Sequence, residues 1–199
     1  TDEEDLGQRS CEACTCCEKA AVYKSRYEYS VERDRNKCLG SYVFLWGQKQ
    51  ERTPTWYGLF TERGEESEVV DVMQYLWSGS WPGNKAPHLY SLRLDKRKAI
   101  DNIYLKPGTQ YEAIVDAMDP DRDPLSYRWE IMPEPTQLSE GGDFEARPKS
   151  IEGLVLNARG GNVTIKTPAA EGAYRIFVYV TDGNNNVATA NIPFYVKKS

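Results

Sequence analysis

Three aspartates alternate in the run Asp119-Pro120-Asp121-Arg122-Asp123-Pro124. Closely spaced carboxylates suit a hard cation, and calcium takes about six to eight oxygen ligands from carboxylates, carbonyls and water. Counted as an EF-hand loop from Asp119, the run puts Glu130 in the twelfth place but Pro124 in the sixth, where the sharp turn requires glycine. It is not an EF-hand. Two readings stay open. In one, Asp119, Asp121 and Asp123 bind calcium, with Asp182 joining them from a later turn. In the other, these carboxylates fold onto nearby backbone amides, the ordinary work of aspartate in turns.

Thiols are the second candidate chemistry. Cys11, Cys14, Cys16 and Cys17 crowd together, while Cys38 stands apart. A zinc site wants thiolates about two to four residues apart plus a second ligand pair downstream. The only histidine, His88, lies far off in sequence, in what reads as a linker, so the second pair is missing. The thiols are then free or variably paired in an irregular terminus, with a zinc cluster as the alternative. Asn162-Val163-Thr164 fits an N-glycosylation acceptor but falls inside an expected strand.

Composition narrows the partners. The 30 acidic and 25 basic residues are mixed along the chain and leave a net charge of -5. That gives no extended positive surface for a phosphate backbone, so nucleic acid is not an expected partner. No run approaches the roughly eighteen apolar residues of a membrane helix, and no membrane span is expected. A hydrophobic content of 40% with 12% aromatics is enough for a packed core. Thr1 reads as a processed end or a cut, so secretion is not legible from a leader.

The elements that would carry these residues divide at a change of period. Residues 1–17 have no apolar periodicity and open on Asp2-Glu3-Glu4-Asp5, which predicts an acidic, cysteine-rich tail. Ala21, Val22, Tyr27 and Val31 predict a helix over 18–34. The apolar run Tyr42-Val43-Phe44-Leu45-Trp46 predicts a strand buried on both faces of a parallel sheet. Val69, Val72, Met73, Leu76 and Trp77 share one stripe of a second helix over 65–77. Helix, buried strand, loop and helix is the rhythm of an α/β layer or barrel, and one parallel strand cannot bury itself. Residues 18–78 are therefore expected to be the last slice of a larger domain. The stretch 79–87, rich in Pro, Gly and Ser, is the expected linker. Beyond it, short strands are expected at 89–94, 110–117, 125–131, 162–166, 172–181 and 187–196. Asp182-Gly183 closes the clearest of them. The expected class is α+β and multidomain, a partial (β/α)-barrel followed by an all-β immunoglobulin-like sandwich.

Two families share motifs with the chain. Asp119-Pro120-Asp121-Arg122-Asp123-Pro124-Leu125-Ser126-Tyr127-Arg128-Trp129, with Gly172-Ala173-Tyr174-Arg175 and Tyr179-Val180-Thr181-Asp182-Gly183, resembles the framework of PKD-type and cadherin-like immunoglobulin-fold modules. It departs in having Arg122 where the family usually has glycine, and in a long insertion between Trp129 and Asn162. The resemblance implies a secreted, periplasmic or cell-surface setting, often beside carbohydrate-active enzymes. Residues 37–77 look like the end of the catalytic barrel of glycoside hydrolases of the family 2 kind. Gly40 to Trp46 would be the eighth strand, and Thr55 to Phe60 would lead to the final helix. That resemblance implies carbohydrate as partner and Trp46 as the floor of a sugar subsite, with Gln48 and Glu51 as polar neighbours. It also implies a missing earlier part of the barrel, which would hold both catalytic carboxylates.

Glycosidases need two carboxylates flanking the bond, and Glu51 has no second one in a matching position. The chain alone is expected not to hydrolyse glycosides. It reads as the carboxy-terminal part of a secreted glycoside hydrolase with an accessory sandwich that spaces or binds carbohydrate. The alternative is an extracellular adhesion or structural module binding protein partners, with calcium as a conditional cofactor.

Overall fold

In the computed structural model of this protein, residues 16–136 and 143–198 are described. Most of the expected tail, with Cys11 and Cys14, lies outside them. Strand alternation from Gln110 onward gives the architecture its first sheet. β4 (Gln110–Met118) buries Ala113 and Val115 and turns its alternate residues outward. It pairs antiparallel with β2 (His88–Leu94) and β7 (Asn162–Lys166), and β7 pairs with β6 (Val155–Arg159), giving the order β2-β4-β7-β6. Period-two burial is what a sheet with one wet face requires.

The second sheet is different. β5 (Ser126–Pro133), β8 (Gly172–Thr181) and β9 (Asn186–Val196) run antiparallel in the order β5-β8-β9. Two short strands, β1 (Glu66–Ser67) and β3 (Ile103–Leu105), join β9 in parallel. Ile176, Val178 and Val180 of β8 face the first sheet and share its core with Leu92, Val115, Ile165 and Ile192. Phe177 and Tyr179 face the other way and cluster with Met132 and Val187. Both faces of β8 are therefore covered, and so is nearly all of β9.

The amino-terminal segment is tied to that second face. β1 leads directly into α2 (Glu68–Ser78), whose Val69, Val70, Val72 and Met73 pack with Leu59 and with Ala20 of α1 (Cys16–Ser30). Glu68 and Asp71 sit in the first turn of α2, where the helix dipole favours negative charge, and Gly79 ends the helix at φ 76°. Lys19 donates to the carbonyls of Thr55 and Gly58 at 3.0 and 3.1 Å, fastening α1 to the loop between the helices. That loop reaches the sandwich through Glu145, whose Oε1 accepts from Gln50 Nε2 and the Arg52 amide. Gly58 is required there, because a Cβ would stand 2.9 Å from the Gly47 carbonyl oxygen.

The expected barrel strand is not formed. Residues 42–46 make no ladder with any described strand, Leu45 turns to φ 59°, and Leu39 and Tyr42 are fully exposed. A strand must exchange hydrogen bonds with a neighbour, and a left-handed residue breaks the extended run. The apolar content of Tyr42, Phe44 and Trp46 is instead presented at the surface, with Val43 alone packed onto the helix cluster. No barrel segment is present among the described residues; the fold is a β-sandwich carrying two helices.

Asp71 makes the helical layer sensitive to pH. Its side chain is 3% exposed, and Oδ2 accepts from the Ala86 amide at 2.7 Å. Burial is the main cause that lifts its pKa from 3.8 to about 6; the Ala86 bond opposes the rise, and Glu68 and Glu66 add to it. The folded pKa lies above the unfolded one. The contribution is therefore fully present below about pH 4 and is lost as pH rises through about 6. At about 1.4 kcal/mol per unit of pKa, keeping this carboxylate charged at pH 8 costs the fold about 2 to 3 kcal/mol. In denaturant titrations, Asp71→Asn should match the parent near pH 4 and exceed its stability by about 2 kcal/mol at pH 8. A constant difference across that range would contradict this account.

Candidate cation site at the linker end of the sandwich

Three chain segments meet at one end of the sandwich: the β4–β5 loop with Asp119, Asp121 and Asp123, the β8–β9 turn with Asp182, and residues 84–86 leading into β2. The first loop is folded by its own aspartate. Asp119 Oδ1 accepts from the amides of Asp121 and Asp123 at 2.8 and 2.9 Å, and the Asp119 carbonyl accepts from the Arg122 amide at 3.2 Å. The second turn repeats the device, with Asp182 Oδ1 accepting from the amides of Asn184 and Asn186. Both are the side-chain-to-backbone bonds that aspartate makes in turns.

The carboxylates are then brought together. Asp119, Asp123 and Asp182 each offer an oxygen within 4.8 Å of the other two. Asp119 and Asp182 are buried, and Asp119 Oδ2 has no hydrogen-bond partner. A buried, unpartnered carboxylate oxygen beside two further carboxylates fits a hard cation, since burying like charges without compensation is costly. Asp121 does not join them. Its Oδ2 accepts from the Lys85 amide at 2.7 Å, and Oδ1 lies 3.6 Å from Lys85 Nζ.

Amides from the linker and the turn close around the group. Asn84 Nδ2 and Asn184 Nδ2 both donate to Asp123 Oδ2, at 2.5 and 2.8 Å. Asn186 Nδ2 donates to Asn84 Oδ1 at 2.6 Å and to Asp182 Oδ2 at 2.9 Å. Asn84 and Asn186 were not legible as site residues, because asparagine is common in loops and turns.

Glu130, the twelfth residue of the EF-hand count, lies elsewhere. It sits on β5, where Arg147 Nη2 and Ser150 Oγ donate to it at 2.6 Å each. Burial works against its charge, but the bonds from Ser150, Tyr179 and Arg147 and the Arg147 charge hold its pKa below the usual carboxylate value. Tyr179, under the Arg128 guanidinium at 3.7 Å, is pushed above the usual phenol range by burial and by Glu130. No sequence signal pointed to this group.

Each of the expected sugar-subsite residues has its own partners. Trp46 is 53% exposed and lies between Phe60 and Trp77, with centroids at 5.4 and 5.6 Å. Gln48 donates to the Pro54 carbonyl, and Glu51 is paired with Lys49 at 2.6 Å. A separate aromatic group lies in the same segment: Phe44 meets Tyr57 edge-on at 5.5 Å, and Tyr57 stacks on Trp56 at 4.5 Å.

No protein-family model and no curated protein matches the chain. Among solved structures, the chain is similar to the PKD domain of an M14-like peptidase from Thermoplasmatales archaeon SCGC AB-540-F20. The two share 16% identity over 58% of this chain and 100% of that one, with a TM-score of 0.34. The sandwich is established by its own strands. No described helix is long and apolar enough to cross a membrane.

The departure at Arg122 has a measurable cost. Arg122 stands at φ 70°, the left-handed region where a Cβ is strained by about 1 to 2 kcal/mol. Part of that is returned by the greater unfolded-state freedom of glycine. Arg122→Gly should therefore stabilise the protein by about 0.5 to 1 kcal/mol in urea titration; a loss of stability would show that the arginine side chain is needed at this turn.

Proposed function

We propose that the chain is a non-catalytic, extracellular-type module of a carbohydrate-active protein, in which the sandwich is a spacer fixed to the preceding helical segment at the Asp119–Asp123–Asp182 end. The observation that carries this reading is the seam at residues 84–86. Asn84 bonds to Asp123 and Lys85 to Asp121, both in the β4–β5 loop, and Ala86 bonds to Asp71 of α2, so consecutive linker residues are anchored first on the sandwich and then on the helix. A stretch that composition marks as flexible is thus held in one path. Calcium at Asp119, Asp123 and Asp182 would supply the positive charge these clustered carboxylates lack, and Asn84 would join the seam to the site. The PKD-type motifs at 119–129 and 172–183 support such a parent, since modules of that kind often stand beside carbohydrate-active enzymes.

A second reading has its own observation. Trp46 and Trp77 are both exposed and in ring contact, and indole faces stack on the apolar faces of sugar rings. On this reading the helical layer holds carbohydrate directly, with Trp46 at its centre.

Calcium is tested by melting the whole chain with millimolar calcium and with chelator. A ligand at about a hundred times its dissociation constant adds about 2.7 kcal/mol, which for a protein of this size raises the midpoint by roughly 5 to 10 °C. Asp182→Asn should abolish the rise, and an unchanged midpoint in the parent removes calcium from the proposal. For the sugar face, Trp46→Ala should reduce retention on insoluble polysaccharides at least about tenfold while leaving the midpoint within a few degrees. Equal retention, or binding to protein ligands only, would favour an adhesion module. Hydrolysis of aryl glycosides by the chain, lost in Glu51→Gln, would overturn the non-catalytic assignment.

A further inference from the structure

The fold closes a distance that the sequence left open. Cys17 lies in the first turn of α1, Glu68 opens α2 and His88 opens β2. One donor atom from each lies within 4.8 Å of the other two. His88 Nδ1 stands 3.1 and 3.2 Å from the two Glu68 oxygens, and Cys17 Sγ accepts from the Leu89 amide at 3.0 Å. Cys17 is buried, while Glu68 and His88 are part-exposed.

We propose that Cys17, Glu68 and His88 bind a zinc ion that clasps the two helices to the first strand of the sandwich. The donor set selects the metal. Thiolate and imidazole are ligands for a borderline-soft cation, which excludes calcium and magnesium here, and a carboxylate oxygen is the third ligand type that zinc accepts. The distances are compatible. Tetrahedral zinc with bonds of about 2.0 to 2.3 Å spaces its ligands by roughly 3.3 to 3.8 Å; His88 and Glu68 already stand near that spacing, and the Cys17 sulfur has to approach by at most about 1.5 Å. The Leu89 amide already supplies the hydrogen bond that steadies a metal-bound sulfur. A cavity of about 340 Å³ opens on Glu68 and His88, beside Trp81, Lys85 and Tyr90, and gives water a route to a fourth position.

The same three residues also have the composition of a nucleophilic cysteine with a histidine base and an acidic partner. That arrangement needs the sulfur at the wall of a substrate cavity. The cavity is lined by Glu68 and His88 and not by Cys17, so a substrate entering it meets the base and not the nucleophile. The cluster is built to bind.

The test uses the whole chain, purified under reducing conditions without chelator, loaded with zinc or cobalt and dialysed. The parent should retain about one metal per chain, with a thiolate-to-cobalt charge-transfer band. Cys17→Ser should abolish that band, and His88→Ala and Glu68→Gln should each weaken retention at least about tenfold. A triple variant replacing Cys11, Cys14 and Cys16 by serine should bind like the parent. No metal in the parent, undiminished binding in Cys17→Ser or His88→Ala, or loss in the triple variant would each overturn the proposal. X-ray absorption of the zinc-loaded parent decides without any substitution: a single sulfur among nitrogen and oxygen ligands supports the site, and several sulfurs or none refutes it.

Discussion

β8 and β9 hydrogen-bond to each other from Gly172 with Val196 to Thr181 with Val187, and neither strand turns a full face to water. The inter-sheet core takes Ile176, Val178, Ala190 and Ile192 from one side. The other side takes Phe177, Tyr179 and Val187, and a sheet face of that character needs a cover. The amino-terminal residues supply part of it, and the buried arginine of this layer has carboxylate and amide partners. Arg175, almost wholly buried, bonds to Glu134 Oε1 and to Asn191 Oδ1. A buried guanidinium without such partners would cost several kcal/mol. The helical layer and the sandwich are one packing problem, solved together.

That coupling explains which parts of the fold were legible in the sequence. Strands facing water on one side announce themselves by alternation, and β4 and β7 fall where their periodicity puts them. β8 was legible for another reason: a continuous apolar run ended by Asp182-Gly183. The same rule failed at Tyr42 to Trp46, because an apolar run records composition and not whether a partner strand exists. β3 and β6 were missed because one is only three residues long and the other, from Val155 to Arg159, has a mostly exposed pattern.

The meeting of the aspartates was legible only in part. Alternating aspartates marked the loop, and the turn at Asp182 was recognised as its possible neighbour. Asp121 shares a sequence pattern with Asp119 and Asp123 but not a direction, because Asp119 draws the loop around its own carboxylate. Direction is set by the local turn, which spacing does not encode. Asn84, Asn186 and the meeting of Cys17 with His88 depend on how distant elements dock, and a single sequence carries no record of that.

β1 and β3 lie along the same edge of β9, run in its direction, and meet it at opposite ends. Tension applied along the chain would slide these parallel pairs past one another. Their hydrogen bonds would then share the load in shear rather than open in succession like a zipper. An edge of that design resists stretching more than an antiparallel hairpin of equal length.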